Sequence, residues 1–246
     1  MNRQQKILEA IRIHGFRGVG DLASELDVDE STIRRHLARL EKLDLIQRTH
    51  GGARIGSSER AANEPSRPHA SEKRAIGKAM AERIRDGQVV LLDSGTTTLE
   101  VAKALTNKRL TVVTNDLRIG MEIAAKPRIQ LVFIGGELLP ETYNMWGPTA
   151  VEQIEQLGID IAVFGADSVS ENGIYSFMSY EIEMQRTMLD IASEACFVAD
   201  SSKFHLKALF RVFDLDGFSF GITDDYLDPL KASQLPLPII RASARL

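Results

Sequence analysis

The chain has 246 residues, 43% of them hydrophobic and 26% charged, with 30 basic against 34 acidic side chains and a formal net charge of -4. That length and apolar content suit a small module plus a medium-sized domain and exclude a disordered chain. A single cysteine, Cys196 in the apolar run EACFVAD, excludes a disulfide framework and is expected to be a buried, inert thiol in a reducing, cytoplasmic setting.

No signal-peptide core stands near MNRQQKILEAIRIHG and no window approaches the roughly 20 apolar residues of a membrane span, so a soluble protein is expected. Three short helical patterns come first. Ile7, Leu8 and Ile11 mark one, Leu22, Ala23 and Leu26 a second, and Ile33, Leu37, Leu40 and Leu43 a third, each burying one face. Between the second and third, DVDES lets Val28 point inward while Asp29 or Glu30 with Ser31 supplies a helix start, the join of a helix-turn-helix. On a wheel of about 100° per residue with Ile33 at zero, Ser31, Lys42, Arg35 and Arg39 fall at about 160°, 180°, 200° and 240°, with Thr32 and Arg34 flanking them. Hydroxyls at a helix start and guanidiniums along it bond phosphates and read guanine edges in a major groove. A solvated face with Arg/Glu pairs is the plainer alternative.

Next, LIQRTHGGARI reads as two short strands about a Gly51-Gly52 turn. Such a hairpin makes a winged helix-turn-helix, with Arg48, His50 and Arg54 placed along the sugar-phosphate backbone or an adjoining minor groove. The first 60 residues carry 11 basic and 9 acidic side chains and the remainder 19 and 25, so the two parts are expected to have different partners.

STIRRHLARLEKLDLIQRTHGGA resembles the DNA-binding signature of the DeoR/GlpR family of bacterial transcription regulators, usually repressors. Thr32, Arg34, Arg35, Arg48, His50, Gly51, Gly52 and Ala53 stand at matching positions. Two positions depart: His36 stands where the family has Asp, and Asp44 where it usually has Gly. At about 300° on the wheel, His36 lies beside the leucine stripe and is expected to pack or pair within the module. Asp tolerates left-handed backbone better than most residues, which makes the second departure milder.

GSSERAANEPSRPHA lacks periodicity and marks a boundary, giving a DNA-binding domain at 1–56, a linker at 57–70 and a larger domain at 71–246. In the last, SEKRAIGKAMAERI reads as a helix. VVLLD, LTVVT, IQLVFIG, IDIAVFGA, ACFVADS and FSFGITD then read as strands alternating with helices, an α/β domain with a mostly parallel sheet. Ligands of such sheets sit at the C-terminal strand ends. Asp93, Ser94, Gly95, Thr96, Thr97 and Thr98 follow the first strand and run into the helix LEVAKAL, where amides, a glycine and hydroxyls form a phosphate cradle. An ordinary Ser/Thr cap is the alternative. Other strand ends bring Thr114, Asn115 and Asp116, then Gly135 and Gly136, then Asp167, then Asp200 to Lys203, groups suited to sugar hydroxyls and a phosphate.

DSGTTT, TND, GGE, GAD with NGI, the Glu181 to Arg186 helix and ADSSKF resemble the DeoR sensor domain. That fold is related to ribose-5-phosphate isomerase, and its members are generally released from DNA, or retuned on it, by a phosphorylated sugar. The resemblance implies Ser94, Gly95, Thr96, Thr97 and Thr98 for the phosphate. It implies Asp93, Asn115, Asp116, Gly135, Gly136 and Lys203 for the sugar or pocket wall, with Asp167, Glu181 and Arg186 as further candidates. Catalysis is the main rival, since Asp167 and Lys203 could take part in proton transfer. The isomerase pattern, however, has a glycine-rich segment and a catalytic Glu after GAD, where this chain has NGIYSFMSYEIEMQ. Binding without turnover is expected, with no cofactor. The 5 histidines are scattered and no metal site is expected. A sugar-phosphate-binding protein that docks a protein partner is a third reading, against which the glycine-turned wing speaks. The expectation is a regulator of double-stranded DNA operators, a repressor of a carbohydrate-utilisation operon, working as a homodimer or homotetramer built through the larger domain.

Overall fold

The computed structural model describes residues 3–14, 16–42, 46–49, 51–55, 69–106, 108–139, 142–206 and 208–244. The chain divides into two units.

The first unit contains α1 (Arg3–His14), β1 (Phe16–Gly18), α2 (Val19–Glu25), α3 (Glu30–Lys42), β2 (Ile46–Thr49) and β3 (Gly52–Ile55). Ile7, Ile11, Leu22, Ile33, Leu37 and Leu40 are buried in one core, with Leu8, Leu26 and Val28 partly covered against it. This is the stripe pattern that the spacing of three and four predicts. Helix α3 starts at Asp29, whose Oδ1 accepts from the Thr32 amide at 2.8 Å, so the acidic residue supplies the cap.

The wing has one strand more than the sequence shows. β1 joins β3 and β2 in an antiparallel sheet of order β1-β3-β2, and a three-residue segment with a single apolar residue offers no alternation to detect. It also gives each glycine of the turn its own task. Gly51 takes φ +88°, and a Cβ on Gly52 would stand 2.3 Å from the Arg17 carbonyl oxygen and 2.6 Å from the Phe16 ring. The first makes the turn, and the second lets β1 lie against β3. Leu43, Asp44, His50 and the linker 57–68 lie outside the described residues, as does the side chain of Arg54.

The second unit contains α4 (Ala70–Arg83), β4 (Val89–Leu92), α5 (Thr96–Ala104), β5 (Leu110–Thr114), α6 (Leu117–Ala124), β6 (Ile129–Phe133), β7 (Glu137–Leu138), β8 (Met145–Trp146) and α7 (Pro148–Glu155). It continues with β9 (Ile161–Gly165), β10 (Ser168–Ser170), β11 (Gly173–Ser176), α8 (Ile182–Asp190), β12 (Ala195–Val198), β13 (Phe210–Phe213), β14 (Phe220–Asp224), α9 (Pro229–Ser233) and β15 (Ile239–Ala242). Seven strands form a parallel sheet of order β15-β14-β12-β9-β4-β5-β6.

The six expected strands are all present, and β15 corrects the count. Its short IIRA run follows a Pro-rich turn and has no helix-length pattern after it to mark it as a sheet member. Two small antiparallel additions, β10-β11-β13 and β7-β8, were also beyond the sequence reading. Phe164, Phe197, Phe213 and Phe218 lock β13 onto the sheet through edge-to-face contacts with centroids 4.9 to 5.8 Å apart. Cys196 is fully buried on β12 and burial pushes its thiol pKa up, which keeps it unreactive. Because all seven strands run parallel, the C-terminal ends of β4, β5, β6, β9, β12 and β14 share one edge.

Candidate functional site

Two surfaces carry the polar residues singled out above. On the first unit, the face of α3 opposite the leucines is basic and open. Arg34, Arg35, Arg39 and Lys42 are exposed, and so is Arg48 on β2. Arg34 is paired with Glu30 at 2.6 Å and Arg48 with Glu41 at 3.6 Å. Among the described residues, Arg35 and Arg39 make no ion pair, so these two guanidiniums are the ones open to an outside anion.

Ser31 and Thr32 stand differently from the sequence expectation. The Ser31 and Thr32 hydroxyls both donate to the Asp29 carboxylate, Thr32 at 2.9 Å. Those bonds and the Thr32 amide hold the Asp29 pKa well below the usual carboxylate range. Donors committed to Asp29 are not free for phosphate, so Asp29 shapes the start of the basic face. Its signal in the sequence was its place two residues before a Ser-Thr pair. His36 is half-buried, and burial lowers its pKa, with Arg3, Arg39 and Arg35 adding to the effect. It packs within the module, as its place on the wheel predicts.

On the second unit the chemistry gathers at the shared strand edge. The chain leaves β4 at Asp93, passes Ser94, and enters α5 from Gly95, whose φ of +139° only glycine adopts without strain. No side chain caps α5, so the first-turn amides of Thr96, Thr97 and Thr98 have no intrahelical acceptor. The Thr98 hydroxyl donates to the Gly95 carbonyl at 3.0 Å, which leaves those of Ser94, Thr96 and Thr97 for a ligand. A helix N-terminus of this kind is a fitting place for an anion.

Asp116 holds that loop in place. Its carboxylate takes Arg118 in a two-pronged pair, Nε at 3.0 Å and the terminal nitrogen at 2.5 Å, and accepts the Gly95 amide at 3.3 Å. It also caps α6 through the Arg118 and Ile119 amides. The Arg118 guanidinium lies 5.0 Å over the Tyr143 ring. Expected on the pocket wall, Asp116 has its acceptor capacity filled by the protein, and its task is to position Gly95. Arg118 was missed, although Asp-x-Arg at a helix start is a readable cue for such a pair.

Asp93 is 1% exposed and accepts from Gln185 Nε2 at 3.1 Å. Burial, opposed by hydrogen bonds and aided by the Asp116 charge, pushes its pKa up to about 7. Glu181 accepts from Asn144 Nδ2 at 2.8 Å, and its pKa is pushed up to about 8, by burial first and by Asp93 next. Gln185 stands on α8 four residues after Glu181, the residue at its N-cap, a spacing that the sequence displayed and that the Asp93 contact puts to use. Asn144 carried no local signal. Asn115 Nδ2 donates to the Met145 carbonyl at 2.9 Å. The structure thus brings Asp93, Ser94 to Thr98, Asn115, Asp116 and Glu181 into one cluster.

The remaining candidates are scaffolding or peripheral. Gly135 donates its amide to Gln153 at 3.1 Å, and Gly136 has φ +147° with the Trp146 carbonyl where a Cβ would go. Asp167 accepts from the Ser176 hydroxyl at 2.9 Å and the Phe177 amide at 3.2 Å, closing the β10-β11 hairpin. Arg186 is taken from the cluster: its guanidinium donates to the Val212 and Arg211 carbonyls at 3.0 and 3.1 Å, tying α8 to β13. Lys203 lies in a short 3-10 turn after Asp200. Burial alone would raise the Asp200 pKa, but Lys203 and the buried Lys73 of α4 hold it below its usual value.

A family model described as the DeoR-like helix-turn-helix domain matches residues 3–59, and one described as the DeoR C terminal sensor domain matches residues 68–225. A putative aga operon transcriptional repressor of Escherichia coli O157:H7 is 32% identical, the alignment covering 91% of this chain and 86% of the relative. A glycerol-3-phosphate regulon repressor of Haemophilus influenzae is 30% identical, covering 91% and 89%. Among solved structures, ribose 5-phosphate isomerase A of Methanocaldococcus jannaschii aligns over 54% of this chain and 53% of its own at TM-score 0.40 and 19% identity.

Proposed function

This chain belongs to the DeoR family of DNA-binding transcriptional regulators, and we propose that it represses a carbohydrate-utilisation operon and responds to a phosphorylated sugar held at the sheet edge of its sensor domain. The observation that carries the proposal is the uncapped start of α5, where free amides and the hydroxyls of Ser94, Thr96 and Thr97 meet a glycine fixed by Asp116. A phosphate group needs those donors and no metal. Relatives named for the aga operon and for the glycerol-3-phosphate regulon support a carbohydrate target.

Arg35 and Arg39 are the proposed major-groove contacts, with Arg34, Arg48, His50 and Arg54 nearer the backbone. Ser31 and Thr32 act by setting the helix start. The protein works as a homodimer or homotetramer, because one short basic helix discriminates little and two-fold symmetry pairs two half-sites. It binds the sugar phosphate without turning it over: NGIYSFMSYEIEMQ stands where the isomerase pattern has a glycine-rich segment and its catalytic Glu.

The test pairs two assays on the full chain. Thermal unfolding is followed with phosphorylated sugars and their unphosphorylated parents, and operator binding is followed by fluorescence anisotropy. A stabilising shift with an ester alone, lost when Thr96 and Thr97 are replaced by Val while operator binding persists, is the expected result. A shift retained in that variant moves the phosphate site elsewhere.

A further inference from the structure

Buried side-chain oxygens without a hydrogen-bond partner are rare in folded proteins. Four of them in the sensor unit fall along one edge of one sheet: Asn115 Oδ1 after β5, Asp93 Oδ1 after β4, Asp200 Oδ2 after β12 and Thr223 Oγ1 near the end of β14. The four residues are 0 to 1% exposed. Asn115 and Asp93 follow neighbouring strands, and β9 separates them from the other two, which are neighbours in turn.

The first two flank the start of the Ser94 to Thr98 loop, and neither can be satisfied by turning its side chain over. The Asn115 amide nitrogen is committed to the Met145 carbonyl, which only accepts, and the other Asp93 oxygen holds Gln185. The arginines of this region are engaged elsewhere, Arg118 with Asp116 and Arg186 with the β13 carbonyls, and Lys203 and Lys73 act on Asp200, on the other side of β9. Glu181 adds a third carboxyl group beside Asp93. One side of the site is therefore donors, at the start of α5, and the other presents two acceptor oxygens, Asn115 Oδ1 and Asp93 Oδ1, that lack donors.

We propose that this edge reads the non-phosphate end of its ligand as a hydrogen-bond donor. The ligand is a phosphorylated polyhydroxy compound whose hydroxyls donate to Asp93 Oδ1 and Asn115 Oδ1, and a phosphate ester with a carboxylate at that end is rejected. The proposal rests on the assignment of the phosphate to the Ser94 to Thr98 loop. Adjacent parallel strands lie about 4.8 Å apart, a distance that two hydroxyls of one carbon chain can span. A carboxylate would bring further acceptors and a negative charge to oxygens that already lack donors, and a buried polar site discriminates strongly against a group that leaves it unpaired.

The test is a thermal-shift titration of the full chain with two pairs of esters in which a terminal CH2OH becomes a carboxylate: glycerol 3-phosphate with 3-phosphoglycerate, and sorbitol 6-phosphate with 6-phosphogluconate. Inorganic phosphate is titrated in parallel. The polyol member is expected to bind at least tenfold more tightly in the pair that gives the larger shift. Asp93→Asn, which offers an amide donor in place of a carboxylate oxygen, is expected to narrow that gap. Equal or tighter binding of the carboxylates overturns the proposal. So does the absence of any shift with all four esters; in that case a response to inorganic phosphate, lost on replacing Thr96 and Thr97 by Val, leaves the phosphate loop standing, and no response to inorganic phosphate overturns that assignment as well.

Discussion

The two units treat charge in opposite ways. On α3 the cations point outward, and Arg35 and Arg39 have no ion pair among the described residues. At the sensor edge Asp93, Asp116, Asp200 and Asp224 are buried at 0 to 1% exposure. Exposed charge is inexpensive in water and strong only against a partner that brings opposite charge, here a polyphosphate duplex. Buried charge has to be answered on the spot by a pair, a cap or a ligand. The contrast separates residues that act on a partner from residues that hold a site in shape.

The sharpest way to break this contrast is at Arg118. Removing the guanidinium leaves Asp116 buried without its pair, so Arg118→Ala is expected to cost the sensor domain about 3–5 kcal/mol. The measurement is the denaturant midpoint of the sensor transition, and a loss below about 1 kcal/mol would show that the pair is dispensable. Asp93→Asn works in the other direction. A carboxyl whose native pKa, about 7, lies above its unfolded value near 4 loses its stability contribution as pH rises from about 4 through 7. The variant removes that loss, so its unfolding temperature should exceed that of the wild type at pH 8, by the equivalent of roughly 2–4 kcal/mol, and converge with it near pH 4. A constant difference across that range would assign the effect to packing.

On the exposed side the expected effects are smaller and are read as affinity. Arg35→Ala should weaken operator binding by about 1–3 kcal/mol per half-site and leave the thermal response to ligand unchanged. Parallel loss of both would erase the division between the two regions. Last, Glu30→Ala frees Arg34 from an exposed pair that is about half open on each side. Module stability should change by no more than about 0.5 kcal/mol, while operator affinity rises slightly because a carboxylate leaves the DNA face. A clear destabilisation would mean that the pair is structural.

Much of this was legible in the chain itself. Leucine spacing gave the three helices, and alternating apolar runs gave six of the seven sheet strands, because burial imposes a period that survives in one dimension. DSGTTT was readable as a loop entering a helix, since a glycine among hydroxyls has few other uses there. β1, β7, β8, β10, β11 and β13 were not readable, because segments of two to four residues carry no periodicity of their own. Arg186 shows the same limit from the other side: it stood on the right helix with the right charge, and only the position of the β13 carbonyls assigns it to holding the frame.

The order of amino acids by itself determined a winged helix-turn-helix, an α/β domain and a glycine-hydroxyl loop entering a helix, because helix faces, strand runs and glycine turns are local properties of a chain. Tertiary structure alone decided which polar residues are satisfied by the protein and which are left for a ligand. Asp93 and Asp116 look alike in sequence, each following a strand and leading towards a helix. The fold gives Asp116 a buried arginine and two capped amides, and it gives Asp93 a glutamine on one oxygen, no cation, and no side-chain partner on the other. A hydrogen bond depends on where two groups meet in space, and neighbours along the chain do not specify that meeting.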